Sequence, residues 1–143
     1  MARALGINHV ALEVDDVAEA IEWYGRFFEF GLRGQRATMA WLDLGDQFLA
    51  LSSPRRGGAD AGRHFGLVVD DKEAVRAALV AAGVAVPASG FLRFSDPWGN
   101  NVEVVGYPDV QFTKTPAVLE ALGSGGLEKT DAAQREMREK GLL

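Results

Sequence analysis

The chain has 143 residues, 15 Lys and Arg against 20 Asp and Glu, and a net charge of −5. Apolar residues make up 48% and charged residues 24%, a balance that fits one compact globular domain and excludes chain-wide disorder. Zero cysteines exclude disulfides, thiolate catalysis, iron–sulfur clusters and cysteine-based zinc sites, so metal or acid–base chemistry falls largely on two histidines. The acidic balance argues against a broad nucleic-acid surface. No apolar run reaches the roughly 18 residues that cross a bilayer. Met1–Leu12 lacks the pattern of a secretory leader, so the expected setting is cytoplasmic, with no membrane partner.

Ile7–Val14 alternates with period two and reads as a strand, with Ile7, His9, Ala11 and Glu13 on one face. Asp15 and Asp16 follow as capping residues, a better account of them than metal carboxylates. Val17, Ala20, Ile21, Tyr24, Phe27 and Phe28 recur at helical spacing, which predicts a helix to about Phe28, stopped by Gly31 as a left-handed C′ residue. Tyr24 lies on the buried stripe of that helix. Thr38–Leu44 and Gln47–Leu51 read as a hairpin turning at Gly45-Asp46. Ser53–Arg63 is rich in Gly, Pro and Arg and reads as a flexible connector, its Arg55-Arg56 either solvated or steering an acidic ligand.

The opening then repeats. His64–Asp71 (HFGLVVDD) matches His9–Asp16 (HVALEVDD), histidine for histidine and both aspartates for Asp70 and Asp71. Val75, Ala78, Leu79 and Ala82 line a second helix that Gly83 stops. Phe91–Ser95 and Asn101–Val105 form a second hairpin through Asp96-Pro97-Trp98-Gly99-Asn100. The body is therefore two βαβββ-like modules, about residues 5–53 and 62–107, which pack together as one domain. Beyond them Pro116–Leu122 reads as a short helix and Gly123–Gly126 as a break. Thr130-Asp131 then caps a charged helix with Ala133 and Met137 as its thin apolar stripe.

Both histidines hold equivalent places at the start of their modules. Glu103 stands in the last strand among Val102, Val104 and Val105, where a carboxylate is costly to desolvate unless paired or metal-bound. If Glu103 faces the cavity, His9, His64 and Glu103 make a two-histidine, one-carboxylate set suited to Fe, Mn, Ni, Co or Zn, with positions left for water and substrate. Arg93 either holds an anionic substrate or faces water. Trp41, Phe48, Phe91 and Trp98 line either a substrate pocket or the core. Tyr107 is a candidate proton donor.

The paired modules, H-x-x-L-x-V-D-D twice and D-P-W-G-N-N-V-E at the end resemble the vicinal oxygen chelate superfamily over about residues 5–107. That superfamily includes glyoxalase I, extradiol dioxygenases, fosfomycin-modifying enzymes and metal-free bleomycin-binding proteins. The resemblance implies an α+β fold in which two paired βαβββ modules form a curled, open barrel-like mixed sheet, here with a short C-terminal helical tail (about 108–143). It implies one divalent metal ion per site, with the first-strand ligand mapping to His9, the fifth-strand ligand to His64 and the last-strand carboxylate to Glu103. It also implies a small oxygenated substrate handled by Lewis-acid or oxygen-activation chemistry. A homodimer is expected on separate grounds, since modules this small cannot bury both sheet faces alone. Glyoxalases and the family's epimerase carry a fourth-strand Glu or Gln that is both ligand and base. Here that position is Leu49 or Ala50, with Gln47 nearby, which lowers those reactions in rank. The rival reading is a small-molecule binding or sequestering protein without catalysis. A third is a metal-binding relic whose tail serves a partner protein.

Overall fold

The protein is described by a computed structural model covering Arg3 and residues 6–143. It divides into two compact units: residues up to Asp60 with Pro97–Asn100, and Ala61–Asp96 with Asn101–Leu143. The hydrogen-bonded strands of the described residues form two separate sheets, one of four strands and one of three.

In the first unit, β1 (His9–Glu13), α1 (Val17–Gly25), β2 (Gly31–Arg36), β3 (Met39–Asp43) and β4 (Phe48–Ser52) follow in order. The sheet runs β1-β4-β3-β2, with β1 parallel to β4 and the other pairs antiparallel. Asp16 caps α1, its carboxylate accepting from the Glu19 amide at 2.8 Å. Val17, Ala20 and Tyr24 are buried at helical spacing, and α1 packs on β3 and β4. Leu12, Val14, Ala40, Leu42, Leu49 and Leu51 are buried with them. Each large aliphatic side chain in that layer contributes about 1.5–3 kcal/mol on removal from water. The helix ends at Gly25, earlier than the apolar spacing suggests. Gly31 is not a left-handed stop but the first residue of β2. That strand, GLRGQR, has no apolar alternation to betray it and gets its partners from β3 alone.

In the second unit, β5 (Phe65–Val69), α2 (Lys72–Ala81), β6 (Leu92–Ser95) and β7 (Asn101–Gly106) form a sheet β5-β7-β6, with α2 against β7. Asp71 caps α2 through the Ala74 amide, and Gly83 follows at φ +75°. The second module is thus βαββ, one strand short of the expected βαβββ. Where the missing strand would run, the guanidinium of Arg76, 8% exposed, donates to the carbonyls of Pro87 (2.5 Å) and Gly90 (2.9 Å). Those carbonyls are tied to α2, and Pro87 has no amide hydrogen to offer a ladder.

The Ser53–Arg63 connector is tethered rather than loose. The Arg55 guanidinium is nearly buried and donates to the carbonyls of Glu13 (3.2 Å), Gly57 (3.1 Å) and Gly58 and to Asn100 Oδ1 (2.8 Å). Asn100 in turn donates to the Glu13 carbonyl at 3.0 Å, and the Asp60 amide donates to the Gly99 carbonyl at 2.8 Å. The D-P-W-G-N turn therefore serves as an anchor. Gly99 sits at φ +84°, where an added Cβ would come within 2.6 Å of Ala59.

After a 3₁₀ turn at Tyr107–Asp109 come α3 (Pro116–Ala121) and α4 (Asp131–Glu139). Thr130 caps α4, and Ala133 and Met137 are buried, so the thin apolar stripe does dock. Lys129 holds this tail: its Nζ donates to the carbonyls of Tyr107 (2.5 Å) and Phe112 (2.7 Å) and lies 3.3 Å from the Tyr107 ring centroid. Desolvation lowers the pKa of Lys129, opposed by Asp109.

Two outcomes follow. Arg55→Ala removes the hydrogen bonds that tie the connector to Glu13 and Asn100 and should lower stability by about 1–3 kcal/mol, read by urea unfolding, with faster tryptic cleavage after Arg56. For Lys129 the folded pKa lies below the ordinary 10.5, so the unfolded chain binds more protons between the two values. Wild-type stability measured against Lys129→Met should therefore rise with pH as it approaches 10.5 from below.

Candidate metal centre

Strand β7 alternates. Val102 and Val104 turn into the layer that packs on α2, while Asn101, Glu103 and Val105 turn to the open face. Register places Arg93 of β6 and Gly66 of β5 directly beside Glu103, and His64 precedes Gly66 by one strand period. The result is a compact polar group on an otherwise apolar sheet. Arg93 Nη2 donates to Glu103 Oε2 at 2.6 Å, and His64 Nε2 stands 3.5 Å from the same oxygen. The glutamate side chain is 16% exposed.

The other ring nitrogen of His64 matters here. Nδ1 lies 3.4 Å from the Gly62 carbonyl oxygen, which can only accept, so that contact is a hydrogen bond when Nδ1 carries the proton. In that tautomer the Nε2 lone pair faces a carboxylate oxygen, an arrangement that a metal ion between them would satisfy. Two donors each about 2.1 Å from one ion at a tetrahedral angle stand about 3.4 Å apart, against the 3.5 Å observed. Arg93 then acts as an outer partner that orients the ligating carboxylate. His64 and Glu103 fit a divalent ion on these grounds.

His9 opens β1 on the uncovered face of the first sheet. Its Nδ1 lies 2.9 Å from Asn8 Oδ1, a contact that leaves the lone pair on Nε2 when Nδ1 carries the proton. The ring stacks on Phe48 at 4.6 Å and 9°. Register puts Ala11, Ala50 and Trp41 on this same face, while Leu49 turns to the helix-covered side. On this face β4 presents Phe48, directly opposite His9, and then Ala50 opposite Ala11, and neither has anything to offer a metal. Gln47 is occupied elsewhere, donating to the Ile7 carbonyl at 2.7 Å. Among the described residues, no three His, Cys, Asp or Glu side chains gather closely enough to hold a metal ion.

Residues 6–104 match the model of the Glyoxalase/Bleomycin resistance protein/Dioxygenase superfamily. The chain belongs to that superfamily. Among solved structures, a possible glyoxalase from Bacillus cereus is similar at 24% identity and a TM-score of 0.62, covering 71% of this chain and 99% of its own. A lactoylglutathione lyase from Agrobacterium tumefaciens is similar at 23% identity and 0.60, covering 74% and 96%. A genomically encoded fosfomycin resistance protein from Listeria monocytogenes is similar at 11% identity and 0.63, covering 73% and 94%. At these identities the likeness is one of fold. No curated protein sequence matches.

Within this superfamily member the remaining candidates separate clearly. Tyr107 is buried, its hydroxyl accepting from the Lys114 amide at 3.3 Å and its ring beneath Lys129. Trp98 is buried in the first unit, edge-on to Trp23. Phe91 is 79% exposed, just before β6. Trp41 and Phe48 share the open face of the first sheet, where they line a groove of about 420 Å³ with Arg33, Gly34, Gln35 and Arg36. Sequence reasoning passed over Arg33 and Arg36. The available signal was an Arg-Gly-Gln-Arg run between a helix and a hairpin, too polar to read as a strand.

Proposed function

We propose that this superfamily member is a metal-dependent enzyme that acts on a small oxygenated organic molecule by Lewis-acid or oxygen-activation chemistry. The proposed ligands are His9, His64 and Glu103. The observation that carries the reading is His64 Nε2 standing 3.5 Å from Glu103 Oε2, with a carbonyl oxygen beside Nδ1. The matching Nδ1 contact of His9 supports the third ligand. A bound divalent ion would polarise a substrate oxygen and stabilise the negative charge that develops on it.

The chain's own residues narrow the chemistry. Arg93 holds Glu103 in one orientation, so the carboxylate is positioned and not free to roam as a base. The β4 residues that share a face with His9 are Phe48 and Ala50, neither able to abstract a proton, which disfavours glyoxalase- and epimerase-type proton transfer. Both histidines of the chain are committed to the ligand set, and Tyr107 is inside the core. A reaction that relies on charge stabilisation rather than on a strong protein base suits this inventory best.

The reading extends to the family's curled, barrel-like arrangement of the two modules as one domain, to a homodimer and to a cytoplasmic setting. No helix among the described residues is long and apolar enough to cross a membrane. The alternative of sequestering without catalysis is less well supported, because the metal-free binders that the chain resembles lack the ligands retained here.

The test is metal analysis of protein purified without chelator. About one divalent ion per chain is expected, and His64→Ala or Glu103→Ala should lose it, with affinity falling at least about 100-fold. Wild type without stoichiometric metal, or with zinc and manganese affinity unaltered by either substitution, overturns the reading.

A further inference from the structure

We propose that the open face of the first sheet holds a recognition groove for a small, flat organic anion, with Arg33 and Arg36 as its charge-binding pair. The anion class is a carboxylate or phosphate on an aromatic or conjugated body. The proposal deepens the metal-dependent reading by naming its substrate class, and it rests on that reading only for what happens to the bound molecule.

The backbone builds this groove deliberately. Along β2 the register passes from Leu32 opposite Leu42 to Gly34 opposite Trp41, so Arg33 is an extra residue in a β-bulge. Bulges re-aim a side chain out of the regular alternation. Here the Arg33 guanidinium lies 5.2 Å from the centre of the Phe48 ring, which belongs to β4, two strands away. Arg36 lies 5.7 Å from the Trp41 ring. Gly34 completes the floor: a Cβ there would sit 3.5 Å from the indole, so the ring rests against bare backbone.

Three other arginines are committed to polar partners elsewhere. Arg55 and Arg76 are nearly buried and fully engaged with carbonyls or carboxylates, and Arg93 is bound to Glu103. Arg33 and Arg36 touch only aromatic faces among the described residues. Two like charges thus share one groove whose lining contains no carboxylate, on a chain that carries −5 overall. An incoming anion relieves their repulsion and takes the planar, forked hydrogen bonds that a guanidinium offers. Trp41 and Phe48 offer the flat apolar surface for the rest of the molecule. Phe48 also carries the stacked His9 ring, so a ligand anchored at the arginines runs along the aromatic floor toward that histidine. The volume of about 420 Å³ admits a one- or two-ring molecule.

Calorimetric titration of the full chain with naphthoate, and with naphthalenemethanol as its neutral counterpart, tests this. Saturable naphthoate binding is expected, weakened at least about tenfold in Arg33→Gln/Arg36→Gln and by added salt, and recovered only in part by Arg33→Lys/Arg36→Lys. The alcohol should bind at least about tenfold more weakly. Binding should survive EDTA and His64→Ala, which would leave this assignment standing even if the metal reading fell. No saturable binding, equal affinity for the alcohol, indifference to the double Gln substitution with circular dichroism unchanged, or loss on chelation each overturns it.

Discussion

A sheet of three or four strands followed by one helix can cover only one of its faces, and the organisation of this protein follows from that limit. In each unit the helix takes the face built from aliphatic residues: Leu12, Leu42, Leu49 and Leu51 in one, Val102, Val104, Leu92 and Phe94 in the other. The opposite faces are left with whatever the alternate positions carry. Those positions hold His9, Trp41 and Phe48 on the first sheet, and His64, Arg93 and Glu103 on the second. Because side chains alternate strictly along a strand, a shift of one residue would bury the polar set and expose the core. Packing energy therefore fixes where the chemistry lies.

The polar groups on these faces are of two kinds. Glu103 is held at 2.6 Å by Arg93, and His64 Nε2 stands 3.5 Å from the same carboxylate oxygen. Arg33 and Arg36 are the converse, cations resting on aromatic rings with no anion among the described residues. The fully engaged guanidiniums of Arg55 and Arg76 show a third use, in which buried arginines replace backbone pairing to hold loops in place.

Much of this was legible in advance. The repeat of HVALEVDD and HFGLVVDD located both first strands, both histidines and both helix caps, because capping and alternation are local rules that act over three or four residues. The second hairpin and the docked tail helix were legible for the same reason. Strand β2 was not, since an edge strand bonded only to β3 needs no apolar pattern of its own. Nor was the missing strand of the second module, which depends on Arg76 reaching carbonyls 11 and 14 residues further on. The connector misled because Gly and Pro imply freedom, yet Arg55 ties it to Asn100, 45 residues away.

The amino-acid order by itself determined the two modules, the helices with their aspartate caps, and the short inventory of two histidines and no cysteine that limits the chemistry. It also carried the superfamily, through the matched histidines and the D-P-W-G-N-N-V-E run. Only the tertiary structure decided that Ala50 and not Leu49 shares a face with His9, that Arg93 belongs to Glu103, that Tyr107 is a core residue, and that Arg33 and Arg36 flank an aromatic groove. The physical reason is range. Caps, turns and alternation are set by neighbours in sequence, whereas these pairings depend on strand register and a single bulge, which bring distant residues onto one face.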